Sequence, residues 1–99
     1  MSKTICVYCS SSEALDASYY QAAQELGMLM ARQNYTLVFG GGRIGLMGAL
    51  ARAVHQHGGK IIGVIPQSLK EKELAYEACD ELIITKDLRD RKAIMETRA

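Results

Sequence analysis

The chain is predicted to form an α/β domain, a parallel sheet with helices on both faces. Three observations predict it. Short apolar runs rich in β-branched residues alternate with longer segments of helical periodicity. The order, β-α-β-α-β-(α)-β-α, needs crossover connections, and these lay helices over a parallel sheet. A glycine-rich turn, Gly40 to Gly45, joins the second apolar run to the helix after it, and open α/β sheets hold their ligands at such strand ends. Right-handed crossovers make the expected arrangement Rossmann-like.

Each element has its own signal. Thr4–Tyr8 is a first strand, followed by the polar turn Cys9-Ser10-Ser11-Ser12. A helix is expected from Ala17 to Gln33, with Asp16 as N-cap. Tyr19, Ala22, Ala23, Leu26, Leu29 and Met30 recur at helical spacing and should form its buried face. Asn34 tolerates the left-handed conformation that ends a helix. Tyr35–Phe39 is the second strand, and the next helix runs from Leu46 to His57, where Gly58-Gly59 stops it. Lys60–Ile65 is the third strand, closed by Pro66. Ser68–Tyr76 is a short helix or irregular segment, Leu82–Thr85 a fourth strand, and Asp87 caps a last helix running toward Ala99. The segments Cys9–Ser12, Gly40–Gly45 and Pro66–Ser68 should converge at the carboxyl ends of the strands.

Composition narrows the function. The 99 residues make one domain, 1–99, with a net charge of +1 and spread-out cations. That argues against a nucleic-acid partner, whose binders cluster basic residues. No apolar run approaches the roughly 18–20 residues that span a bilayer. Three cysteines, an odd count, and the lack of a signal peptide point to a reducing cytoplasm.

The glycine turn is the leading functional signal. Glycine lets backbone approach a ligand closely, and the following helix start favours an anion such as phosphate. Gly40-x-Gly42-x-x-Gly45 fits a dinucleotide fingerprint, but the ribose-binding acid expected about 20 residues on is replaced by Ile65-Pro66-Gln67. No Gly-Lys-Ser/Thr follows, so the turn is not a Walker A loop. The alternative is that the glycines serve helix–sheet packing alone. Ser10, Ser11 and Ser12 fit either a phosphate or sugar contact or a plain polar turn. Cys6-x-x-Cys9 has redox spacing, yet Cys6 lies in a strand, so a packing role is expected; Cys79 is undecided. His55 and His57 near a helix end lack partners at metal-ligand spacing. In Asp87-Leu88-Arg89-Asp90-Arg91-Lys92 the cations either form a solvated face, with an Asp87–Arg91 pair, or aim Arg91 and Lys92 at an anionic substrate.

Four segments together carry a resemblance: Val7-Tyr8-Cys9-Ser10-Ser11-Ser12, Gly40-Gly41-Gly42-x-x-Gly45-Leu46-Met47-Gly48, Ile62-Gly63-Val64-Ile65-Pro66 and Asp87-x-x-x-Arg91-Lys92-x-x-Met95. In this order they resemble the lonely guy family of cytokinin-activating phosphoribohydrolases, long labelled lysine decarboxylase-like, over essentially the whole chain. The resemblance implies a Rossmann-like homodimer that hydrolyses the N-glycosidic bond of nucleoside 5′-monophosphates without metal or other cofactor. It implies Arg91 as the catalytic arginine. It implies substrate contacts from Ser11, Gly41, Gly42, Gly45, Glu73 and Lys92. Ser10 stands where the family commonly has glycine, and Gln67 where it commonly has an acid. The family's later strands and its Pro-Gly-Gly-x-Gly-Thr-x-x-Glu loop, which binds phosphate and supplies a glutamate, lie beyond the match. The expectation is therefore a partial domain with an open edge at the fourth strand, completed by another chain or by strand exchange. The rival readings are a nucleotide-binding module without chemistry and a self-assembling structural fragment.

Overall fold

The computed structural model describes residues 3–8, 17–43, 45–70 and 75–99. In chain order the elements are β1 (Thr4–Cys6), α1 (Ala17–Arg32), β2 (Thr36–Phe39), α2 (Gly45–Gln56), β3 (Lys60–Pro66), a 3-10 turn (Gln67–Leu69), β4 (Glu81–Thr85) and α3 (Leu88–Arg98). The strands form one sheet in the order β1-β2-β3-β4, and every pair is parallel. The expected α/β class is what the chain adopts.

Alternation along the strands divides the core in two. Leu37, Phe39 and Ile61 face α1 and α2 and pack with Met30, Leu50 and Val54. Val38 and Val64 point the other way and pack with Met95 of α3. Successive strand residues face opposite sides, so one helix pair and one single helix cover the sheet. Burying these side chains stabilises the fold by about 1.5–3 kcal/mol each.

Small residues set the helix spacing. A Cβ on Gly27 of α1 would stand 2.5 Å from the Ala53 Cβ of α2 and 3.0 Å from the Leu50 carbonyl oxygen. α1 ends as expected at Asn34, whose φ is 64°. α2 ends at Gly58 (φ 84°), and the amides of Gly58 and Gly59 donate to the carbonyls of His55 and Val54.

The buried face of α1 differs from expectation. Ala23, Gly27 and Met30 are buried, whereas Ala22 is exposed and Tyr19, Leu26 and Leu29 keep 57%, 43% and 52% of their surface. Contact with α2 requires close approach, so the small residues take the inward side and the large ones are displaced outward. β1 stops at Cys6 rather than Tyr8, while Glu81 and Pro66 extend β4 and β3. β4 is an outer strand as expected, and β1 is the other. The expected Asp16 cap and the Cys9–Ser12 turn lie outside the described residues.

Candidate functional site

A cavity of about 230 Å³ opens where β1 and β2 end, on the α3 side of the sheet. Tyr8, Gly40, Met47, Leu88, Arg91, Lys92 and Met95 line it. Asp87 starts α3 there: its side chain accepts the Asp90 amide at 2.9 Å, the expected N-cap bond. The Thr85 hydroxyl donates to the Asp87 carbonyl at 3.1 Å, tying the cap to the end of β4. That cap fixes which way Arg91 and Lys92, one turn later, present themselves.

Arg91 reaches across the sheet. Its Nε donates to the Val64 carbonyl at 2.9 Å, and its Nη2 donates to the Gly40 carbonyl. One side chain thus joins α3 to the ends of β2 and β3. Lys92 is exposed at the cavity mouth. The Tyr8 hydroxyl is held above its ordinary pKa, first by its hydrogen bond with the Cys6 side chain.

The glycine turn is packed as tightly as a core. Gly40, Gly41, Gly42 and Gly45 are all buried. Gly41 has φ 80°, and a Cβ there would meet the Ile65 Cβ at 3.0 Å and the Val64 nitrogen at 3.2 Å. The Gly42 amide donates to the Met47 sulfur at 3.2 Å, and the Gly41 carbonyl accepts the Tyr76 amide at 2.7 Å. Ala75 pairs with Gly42 in an isolated antiparallel bridge. Arg52 closes the far side by donating to the Arg43 carbonyl at 2.7 Å. These contacts give the turn a packing role whatever else it does.

The sequence-predicted residues therefore divide. Arg91 and Lys92 come together with the glycine turn, through Gly40. Gly41 and Gly42 sit directly behind that wall, and Gly45, with φ 64°, begins α2. Ser11 and Glu73 lie outside the described residues. Pro66, Gln67 and Ser68, expected to converge with the glycine turn, do not line the cavity. Sequence reasoning missed Tyr8, Met47, Leu88 and Met95 as lining residues. Met47 had a signal, since it stands one turn into the helix that leaves the glycines.

The other flagged groups are structural. Burial pushes the Cys79 thiol up to about 12, where it is protonated at neutral pH. Cys6 packs beside Val38 and Val64. The His55 ring meets the Tyr76 ring edge-on, and Nδ1 of His57 lies 2.8 Å from the Ala53 carbonyl oxygen.

Fold and site together define a Rossmann-like α/β domain in which an Arg-Lys pair meets a packed glycine turn. The chain belongs to the SLOG cluster4 family, whose model matches residues 2–98. It is 42% identical over 93 residues to cytokinin riboside 5′-monophosphate phosphoribohydrolase LOG5 of Arabidopsis thaliana, covering 94% of this chain and 41% of that protein. It is 45% identical over 93 residues to the phosphoribohydrolase LOG of Oryza sativa subsp. japonica, covering 94% of this chain and 38% of that protein. The chain thus spans about two fifths of the length of these curated relatives. Two solved structures share the fold. The X-ray structure of TM1055 superposes with a TM-score of 0.78 at 24% identity, over 100% of this chain and 57% of that one. The Moco carrier protein from Chlamydomonas reinhardtii gives 0.68 at 22%, over 90% and 51%.

Proposed function

We propose that the chain carries part of the nucleotide site of a hydrolase acting on nucleoside 5′-monophosphates. AMP or an N6-modified AMP would yield free base and ribose 5-phosphate, in the cytoplasm and without metal or cofactor. The observation that carries this reading is the placement of Arg91 and Lys92 on one cavity with the glycine turn behind it. The relatives named for that reaction, 42% and 45% identical, support it.

The residues suggest a division of labour. Arg91 and Lys92 supply positive charge for the phosphate of the nucleotide or for negative charge developing on the departing base. Anchoring two carbonyls fixes the plane of the Arg91 fork, and that planarity suits oxyanions. Tyr8, Leu88 and Met95 offer an apolar wall to a base. At about 230 Å³ the cavity is smaller than the roughly 300–1,000 Å³ of complete small-molecule sites. It suits part of a nucleotide, with Ser11 and Glu73 as the further contacts the resemblance names. Glycosidic cleavage passes through an oxocarbenium-like state that a carboxylate normally stabilises. The described lining holds two cations and no carboxylate, so that group must come from outside it.

The test is to incubate the purified chain with AMP and follow adenine and ribose 5-phosphate by chromatography, with AMP binding measured alongside by calorimetry. Adenine release lost in Arg91→Ala supports the hydrolase. Binding without release, lost in the same variant, moves the reading to a nucleotide-binding module. Neither binding nor release overturns both.

A further inference from the structure

We propose a second anion site on the α2 side of the glycine turn, where Arg43 and Arg52 bind a phosphoryl group, free or carried as an ester on a small molecule. The inference does not depend on the nucleotide reading of the cavity. A pocket of about 290 Å³ opens there, lined by Arg43, Arg52, Tyr76, Glu77 and Ala78. It shares no residue with the cavity on the α3 side. Its volume lies at the lower limit of the roughly 300–1,000 Å³ of small-molecule sites.

Backbone contacts hold the pocket in shape. The Tyr76 amide donates to the Gly41 carbonyl, and Ala75 pairs with Gly42. The segment that carries Tyr76, Glu77 and Ala78 is thereby fastened to the turn that carries Arg43. The Tyr76 ring is set edge-on to Phe39 and to His55. Nη1 of Arg52 donates to the Arg43 carbonyl at 2.7 Å. That bond uses one of the five N–H donors of the guanidinium and restricts its plane.

Charge selects the ligand. Arg43 and Arg52 are both exposed, and the ion pair among the described residues, Glu81–Arg98, involves neither. Two like charges on one pocket repel, and a dianion between them replaces that repulsion with attraction. Arginine forks match phosphate oxygens with two parallel hydrogen bonds. The charge of Arg52 already reaches the pocket wall, where it opposes the burial that raises the Tyr76 hydroxyl. Glu77 is the carboxylate of the lining. Its repulsion discriminates against weakly held monoanions and leaves the pocket to a ligand that engages both cations. Tyr76 and Ala78 offer apolar surface to whatever carries the phosphoryl group.

Titration of the 15N-labelled chain with inorganic phosphate at constant ionic strength, followed by amide NMR shifts, tests this, with sodium chloride as control. The amides of Arg43, Tyr76 and Ala78 should shift saturably with phosphate and not with chloride. The same spectra read the cavity separately, through Tyr8, Leu88 and Lys92. Arg43→Ala should raise the dissociation constant read at Tyr76 and Ala78 roughly 5–10-fold, as should Arg52→Gln, which keeps a donor for the Arg43 carbonyl. Glu77→Gln should lower it about twofold, a gain that damage to the fold would not produce. Lys92→Ala should leave it unchanged. Phenyl phosphate binding tighter than inorganic phosphate assigns the site to esters, and equal binding assigns it to the free ion. No saturable shift at these amides, a chloride response of the same size, or binding indifferent to both arginine changes overturns the proposal.

Discussion

The Arg91 guanidinium donates to the carbonyl of Gly40, a residue 51 positions earlier in the chain. Gly40 has no room for a side chain: a Cβ would fall inside contact distance of Nη2 of Arg91 and 2.8 Å from the Met47 Cε. The anchor and the glycine are therefore one device. Gly40→Ala should lose about 1–3 kcal/mol by overpacking. Arg91→Ala should lose a similar amount, since bonds from a charged donor contribute about 1.5–3 kcal/mol. The double variant should cost less than the sum, because the methyl then occupies the space the guanidinium has left. Urea unfolding of the three variants checks this, and strict additivity would count against it.

Gly48→Ala decides between two effects of opposite sign. Within a helix the exchange gains up to about 1 kcal/mol of propensity. Here the new Cβ would strike the Arg43 carbonyl, which is backbone and cannot rotate away. Steric conflict should win, with a net loss of about 2 kcal/mol. A raised melting temperature would show that the turn before α2 yields freely.

Glu81 at the start of β4 and Arg98 at the end of α3 form a two-pronged ion pair, with N–O distances of 2.7 and 2.9 Å. The Arg98 guanidinium holds the Glu81 carboxyl below its ordinary 4.5. A depressed folded value means stability that is present above pH 4.5 and lost as pH falls through the folded value. Both side chains are exposed, so the effect is small and salt-sensitive. Glu81→Gln should flatten the melting-temperature profile below pH 5; an unchanged profile would remove the pair from the acid response.

Cys79 should be slow to alkylate. Its thiol is raised from 9.0 to about 12, mainly by burial. At pH 8 the thiolate fraction falls by roughly a thousand-fold. Iodoacetamide labelling followed by mass spectrometry should find Cys79 protected in the folded chain and reactive in guanidinium. The sign of the linkage is that of an acid kept protonated: the folded state weakens as pH rises above 9. Rapid labelling of the folded chain would show that the site opens.

Asp87→Ala should lose about 1 kcal/mol through the missing N-cap. It should also loosen Arg91, one turn further along α3. Melting temperature reads the first effect, and weakened AMP binding reads the second. Loss of stability with unchanged binding would separate the cap from the cavity.

Much of this architecture was legible in the chain. β-Branched runs marked the strands, Gly58 and Asn34 marked the helix ends, and Asp87 marked the start of α3. The α1 face was not legible, because periodicity ranks large apolar residues as inward and cannot know that α2 comes too close for them at Gly27. The Arg91–Gly40 contact was not legible either, since nothing local links positions 51 residues apart. Asp80 was missed for a similar reason. Its carboxylate accepts the Ile61 amide at 2.8 Å, just where β3 and β4 come into register. Only the pairing of the strands reveals that need.

The strand order has a consequence in time. Because β1, β2, β3 and β4 lie side by side in the order they are made, each strand can dock on its immediate predecessor and close only a modest loop. Local closures of this kind are the quick ones. The Arg91 anchor spans 27 residues to Val64 and 51 to Gly40, so it belongs to the last stage of assembly, when α3 settles onto a sheet already formed. Removing it should leave the folding rate nearly unchanged and accelerate unfolding. A chevron plot in which Arg91→Ala slows refolding would place α3 in the nucleus instead.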